Sequence, residues 1–225
     1  MRDKIVLSAS NLSKQVSSPE GPLIILDKVN LEVKEGETIA LVGPSGAGKT
    51  TLLALLAGLD RPSEGEVRLC GKNLEKMDED GRALVRGEYV GFVFQSFHLV
   101  ASLTAIENVM LPLELTNESD ASQRARGALK SVGLSERTGH YPRQLSGGEK
   151  QRVAIARAFV TSPNVLFADE PTGNLDTASG DKIADLLFEL NKNYGTTLVL
   201  VTHDMSLAKQ CDRSLYIESG RLINK

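Results

Sequence analysis

The sequence predicts an α/β fold with a parallel sheet, an antiparallel β subdomain at its N-terminal end and a helical insertion. Three stretches carry that expectation. Leu41-Val42-Gly43-Pro44-Ser45-Gly46-Ala47-Gly48-Lys49-Thr50-Thr51 closes an apolar strand, Thr38 to Val42, and opens a helix. Val165-Leu166-Phe167-Ala168 is a second apolar strand ending on Asp169 and Glu170. Leu198-Val199-Leu200-Val201 is a third, reached through a segment with Ile183, Leu186, Leu187 and Leu190 on one helical face. Strand and helix in alternation imply parallel pairing through right-handed crossovers.

In chain order, Ile5 to Leu12 and then Val29, Leu31 and Val33 alternate with polar residues as half-buried antiparallel strands do, and Pro19, Gly21 and Pro22 mark a loop between them. The helix after the Thr38–Val42 strand is apolar through Leu52, Leu53, Leu55 and Leu56 and stops near Gly58. Pro62-Ser63-Glu64-Gly65 then turns the chain into a strand from Glu66 to Leu69. Val90-Gly91-Phe92-Val93-Phe94 suits a buried parallel strand and ends in Gln95. Thr104-Ala105-Ile106-Glu107 is a capping box, Ser119 to Val132 reads as a helix closed by Gly133, and Glu149 to Val160 as another behind Ser146-Gly147-Gly148. Residues from about 96 to 148 are expected to form a helical subdomain within a single domain spanning 1–225. Leu215-Tyr216-Ile217 and Arg221-Leu222-Ile223 around Ser219-Gly220 predict a closing hairpin.

At 225 residues the chain has room for one large domain with an insertion. A net charge of -3 gives no general electrostatic footprint for nucleic acid, so no nucleic-acid partner is expected. The two cysteines, Cys70 and Cys211, lie too far apart in sequence for a metal-ligand motif and fit inert core thiols in a reducing cytosol. Met1-Arg2-Asp3-Lys4-Ile5-Val6-Leu7 has no apolar signal-peptide region, and no run of about 18 apolar residues occurs. Any membrane role is expected to be borrowed from a partner.

Gly43, Pro44, Ser45, Gly46, Ala47, Gly48, Lys49, Thr50 and Thr51 match the phosphate-binding P-loop pattern. Its glycines let consecutive N–H groups approach an anion, and the helix dipole adds positive potential there. Lys49 would set an ammonium against the β- and γ-phosphates, and the Thr50 hydroxyl would ligate magnesium, a hard cation that takes oxygen donors. The plain alternative, a Gly-rich turn with a chance lysine, is disfavoured by the strand before and the helix after. Asp169 suits magnesium through water, and Glu170 can polarise an attacking water as general base; alone, the pair would read equally as a solvated acidic turn. His203, just past the Leu198–Val201 strand, can donate to the γ-phosphate and hold the water and Glu170 in register, although a lone histidine at a strand end is more often structural. Gln95 can reach magnesium or the nucleophilic water through its amide oxygen, or serve as a polar turn residue.

Leu145-Ser146-Gly147-Gly148-Glu149-Lys150-Gln151-Arg152, followed by a helix containing Arg157, sets two glycines and a hydroxyl at a helix start, a second anion site about a hundred residues after the first. Two such sites on different parts of the fold are simply explained if each nucleotide uses one from each of two chains.

With these motifs in this order, the sequence resembles the nucleotide-binding subunits of ATP-binding-cassette (ABC) transporters over nearly its whole length: P-loop Gly43 to Thr51, Q-loop Gln95, signature Leu145 to Gln151, acidic pair Asp169 and Glu170, D-loop Asn174-Leu175-Asp176 and switch His203. The P-loop NTPase core expected above becomes an ABC ATPase. Phe92 to Leu99, Thr104 to Pro112 and Ala168 to Asp176 resemble the lipoprotein-releasing and macrolide-exporting (LolD/MacB-like) branch, above all its YbbA group. The resemblance implies ATP and magnesium as cofactors and a head-to-tail dimer. Each ATP would lie between one copy's P-loop and the other's Ser146, Gly147, Gly148, Glu149 and Asp176, with Thr50, Gln95 and Asp169 toward the metal. It also implies docking on an integral-membrane permease at the cytoplasmic face of the inner membrane, for export, extraction or force transmission. Two residues depart from the pattern. Glu149 stands where the family most often has Gln, and Val16 stands near the usual adenine-stacking aromatic, so weak base selectivity is expected.

A soluble cassette acting on DNA or ribosomes without a permease would call for a coiled-coil insertion, a second cassette or a basic face, and the sequence has none. A small-molecule kinase would leave Ser146 to Gly148 and His203 without a role.

Overall fold

A computed structural model describes residues 4–19, 21–116 and 118–223. Met1, Arg2 and Asp3, at the head of the expected leaderless start, lie outside them. Two compact units divide the described chain. One takes the residues up to Tyr89 and again from Thr197, and the other is Val90–Thr196.

In the first unit, β1 (Ile5–Ser18) and β2 (Gly21–Lys34) form a long antiparallel hairpin, and β4 (Glu64–Leu69) pairs with the other side of β1, followed by the short β5 (Lys72–Asn73). Val29, Leu31 and Val33 are buried and the residues between them exposed, as the alternation requires. The hairpin extends beyond the stretch expected to be strand, because Gln15 to Ser18 pair with Gly21 to Ile24 even though Leu23 and Ile24 stay 51% and 59% exposed. No core-facing pattern marks that outer half. β3 (Thr38–Val42) runs parallel to β8 (Thr197–Val201) on one side and to β9 (Arg213–Glu218) on the other, with β10 (Arg221–Ile223) closing the edge as the expected hairpin. From Ile39 to Val42 and throughout β8 every residue is buried, which is why both read as continuous apolar runs. α1 (Lys49–Leu56) buries all four of its leucines. α2 (Glu79–Tyr89) was not expected from the sequence. It buries only Arg82 and Val85, while Leu84 is 75% exposed, so it lacks an apolar stripe.

In the second unit, β6 (Val90–Phe94) pairs in parallel with β7 (Val165–Asp169), Phe94 opposite Asp169. Three helices follow β6: α3 (Ala105–Leu115), α4 (Ala121–Ser131) and α5 (Gly147–Phe159). α6 (Thr177–Tyr194) follows β7. The Thr104 capping box is formed, Glu107 N donating to Thr104 Oγ1 at 3.4 Å and Thr104 N to Glu107 Oε2 at 2.7 Å. α5 lies directly against β6, since a Cβ on Gly91 would come within 2.5 Å of Ala158 O. The remaining helix, α7 (Met205–Ala208), belongs to the first unit, and among the described residues no helix is long and apolar enough to cross a membrane.

Candidate nucleotide site

The first unit carries the P-loop and His203. Steric demand, not flexibility alone, fixes two of the loop glycines. A Cβ on Gly43 would lie 2.1 Å from Ile217 O, and one on Gly48, at φ +102°, would lie 2.9 Å from both Ile25 O and Leu26 Cδ2. The loop is further tied by Ala47 N to Pro44 O (3.3 Å) and Gly220 N to Ala47 O (3.1 Å), while Pro44, Ser45 and Gly46 face solvent. A Cβ on Gly46 would meet nothing within 4 Å, so the outer side of the loop is open. Lys49 Nζ donates to Gly43 O (2.8 Å) and Pro44 O (2.9 Å), which holds the ammonium over the loop's own backbone. No side chain caps α1, whose N-cap is Gly48, so the N-terminal helix dipole is not masked by a capping oxygen. Thr50, second residue of that helix, is exposed, and Thr51 follows it half-buried.

His203 shares this edge. β8 is in register with β3, Leu41 opposite Val201, so His203 leaves the sheet level with Gly43. Thr202 N donates to Leu41 O at 3.3 Å, and Asp204, whose carboxylate accepts from Ser206 N and Ser206 Oγ at 2.7 Å each, starts α7 and turns the chain sharply after the exposed His203. Those bonds, the Ser206 side chain foremost, pull the Asp204 pKa below the ordinary carboxylate value.

The second unit carries the remaining predicted residues, with Gln95, Asp169 and Glu170 at the carboxyl ends of β6 and β7, where parallel sheets present ligand groups. Asp169 ends β7 and Glu170 follows at φ +47°, a left-handed position that turns its side chain away from the strand direction. Gly173 N closes the turn onto Glu170 O at 3.0 Å. Gln95 is locked to Asn174 reciprocally, Gln95 Nε2 donating to Asn174 Oδ1 (3.2 Å) and Asn174 Nδ2 to Gln95 O (3.0 Å). A Cβ on Gly173 would sit 2.7 Å from Gln95 Nε2, so that glycine makes room for the pair. Asp176 caps α6 through Ser179 N at 3.0 Å, and its pKa is lowered by the bonds from Ser179.

Ser146 is the N-cap of α5 in a complete capping box. Its hydroxyl oxygen accepts from Glu149 N at 3.2 Å, and Glu149 Oε2 accepts from Ser146 N at 2.8 Å. Arg137 Nε reaches Glu149 Oε1 at 3.0 Å. The Ser146 amide first, and the Arg137 guanidinium with it, hold the Glu149 pKa down to about 2. The departure from Gln at this position is thus a charge with its own counter-ion. Gly147 and Gly148 complete the helix start. Sequence reasoning did not anticipate Arg137, which stands at no motif spacing. Gln151, the last residue of the signature, is buried, and its amide donates to Pro171 O at 2.6 Å, a bond the motif did not announce. Val16 lies on β1 opposite Leu23, in the exposed apolar half of the hairpin.

The sequence profile described as ABC transporter matches residues 26–173. The chain belongs to the ABC transporter family. The cassette is 58% identical over 219 residues to the ABC transporter ATP-binding protein YbbA of Escherichia coli (strain K12), covering 96% of each chain. It is 50% identical over 227 residues to the lipoprotein-releasing system ATP-binding protein LolD of Pseudomonas syringae pv. tomato, covering 99% of each. Among solved structures it matches the ATP-binding cassette MJ0796, in a dimeric post-hydrolysis state bound to ADP and Pi, with a TM-score of 0.90, 40% identity and 97% of each chain covered. The fold is that of an ABC ATPase.

The residues fit the expected cofactors. The P-loop offers a backbone cradle closed to side chains on one side and open on the other, with an ammonium and a hydroxyl at its helix end, a donor set for a polyphosphate. Among the described residues no group of three or more His, Cys, Asp or Glu could hold a metal ion. A few single oxygen donors, completed by phosphate and water oxygens, are what magnesium takes.

Proposed function

We propose that this cassette binds ATP with magnesium and hydrolyses it to drive an integral-membrane permease, two copies working together at the cytoplasmic face of the inner membrane. The observation that carries the reading is the P-loop backbone, with Gly43 and Gly48 in places no other side chain can occupy and Lys49 drawn over them. In this reading Lys49 and the loop amides hold the β- and γ-phosphates, and Thr50, Gln95 and Asp169 serve the metal. Glu170 takes the proton of the attacking water and His203 donates to the γ-phosphate. Ser146, Gly147, Gly148, Glu149 and Asp176 act on the nucleotide held by the second copy, an arrangement supported by the dimeric state of MJ0796 with ADP and Pi. The permease docks on the segment after Gln95, where Phe97, His98, Leu99, Val100 and Leu103 are all at least partly exposed. The LolD and YbbA relatives, named as ATP-binding proteins of transport systems, support the partner class.

Glu170→Gln tests the mechanism. Its amide cannot accept the water's proton, so turnover is expected to fall by about 10²- to 10⁴-fold with ATP binding retained. An ATP-dependent dimer should then accumulate on size-exclusion chromatography. Turnover at the wild-type rate would remove Glu170 from the chemistry.

A further inference from the structure

Arg157 lies near the far end of α5 from Ser146, eleven residues along and about 16 Å away at helical rise. Its guanidinium donates from Nη1 to His98 O at 2.6 Å and from Nη2 to Phe97 O at 2.9 Å. Among the described residues no carboxylate pairs with it, and burial pulls its pKa below the usual guanidinium value. A half-buried cation held by carbonyls alone is costly unless its bonds are well made. The two residues it grips are themselves unusual. Phe97 at φ +59° and His98 at φ +47° are consecutive side-chain-bearing residues in the left-handed region. In that conformation their carbonyls face the same planar, two-pronged donor, a match a lysine ammonium cannot reproduce. The local bonds of the segment, His98 N to Ser96 O at 2.6 Å and Phe97 N to Phe94 O at 3.3 Å, are short-range turns, and His98 adds an edge contact with the Phe94 ring at 4.9 Å.

We propose that Arg157 is a positioning residue that clamps the Phe97–His98 segment to α5, so that the placement of Gln95 and of the adjoining docking surface follows the helix that starts at Ser146. The inference rests on the roles proposed above for Gln95 and for that surface. Arg157 touches no reacting atom; it acts by selecting one conformation of a loop that the backbone alone would not favour.

Arg157→Met keeps the bulk and removes both the fork and the half-buried charge, so the fold is expected to survive it. Arg157→Lys keeps the charge and loses the fork. In both variants hydrogen–deuterium exchange of the 96–100 amides should accelerate about tenfold or more. The Kd for ATP should stay within about twofold, because the P-loop contacts are untouched, and kcat should fall about fivefold or more, with Lys the milder change. A residue that only stabilises the fold would lower the melting temperature without this split between kcat and ATP affinity. Wild-type exchange at 96–100 in either folded variant overturns the clamp, as does failure of both variants to fold. Gln95→Ala separates the two readings. If the loop loosens in Arg157→Met while kcat holds there and in Gln95→Ala, the clamp stands and the role given to Gln95 falls.

Discussion

Glu149 places a carboxylate at the start of α5, where the helix dipole and a backbone amide both favour the ionised form. With the Ser146 N–H and Arg137 satisfying its two oxygens, its pKa sits near 2 against an ordinary value of 4.5. The folded pKa is depressed, so the stabilisation is fully present above about pH 4.5 and is lost as pH falls toward 2. Glu149→Gln retains a capping-box oxygen and loses the ion pair, an expected cost of about 0.5–1 kcal/mol at pH 7 for a pair with a half-exposed arginine. Urea unfolding of both proteins at pH 7 and again near pH 3 should show the difference shrinking in acid; a pH-independent difference would mean that the charge contributes nothing. Residues of this kind divide by how local their chemistry is. Gly43, Gly48 and Lys49 were legible because a phosphate cradle needs them at fixed spacing in one turn. Arg137 was not, because it meets Glu149 from a separate 3-10 turn that no periodicity announces.

At the scale of elements, apolar runs gave β3, β6, β7 and β8 with bounds within a residue or so, because strands buried on both faces leave little room for polar residues. α2 escaped because most of its surface is wet and its buried arginine reads as a polar residue. A local signal did exist: Asp78 Oδ1 accepts from Gly81 N at 2.8 Å, an Asx motif at the helix start. The closeness of α5 to β6 was equally invisible, since a glycine inside a strand does not say what lies over it. Gly91→Ala would bring its Cβ within 2.5 Å of Ala158 O and 2.9 Å of Leu166 Cδ1. The first of these is backbone and cannot rotate aside, so either the strand or the helix must shift. A loss of about 1–3 kcal/mol in unfolding free energy is expected, and a melting temperature equal to wild type would show that the two elements part without strain.

For the whole molecule, the sequence placed helices between about 96 and 148, and these lie within the compact unit Val90–Thr196, which also holds β6, β7 and α6. What sequence alone does not separate is docking from core packing in the apolar segment after Gln95 (Phe97, Leu99, Val100 and Leu103), because an exposed apolar residue and a buried one look alike in a list. Without a membrane-spanning helix among the described residues, contact with a permease has to come through the surface, and several apolar side chains are available there. Leu84 on α2 and Leu115 at the end of α3 are 75% and 83% exposed. The segment from Phe97 to Leu103 differs in that Phe97, Leu99, Val100 and Leu103, all at least partly exposed, cluster within one short stretch that begins two residues after Gln95, and its backbone is gripped by Arg157. A partner seated there would feel any movement of the Gln95 loop. Leu99→Asp places a charge in the middle of this patch, and Leu84→Asp is the matched change elsewhere. In cells carrying the native permease, the Leu99 variant should remain folded and bind ATP yet recover the membrane protein about tenfold less on affinity purification, on the scale of a buried contact replaced by an unpaired charge. The Leu84 variant should recover it normally. Aggregation of the Leu99 variant would instead make the segment part of the cassette's own packing, and undiminished recovery would move the docking face elsewhere.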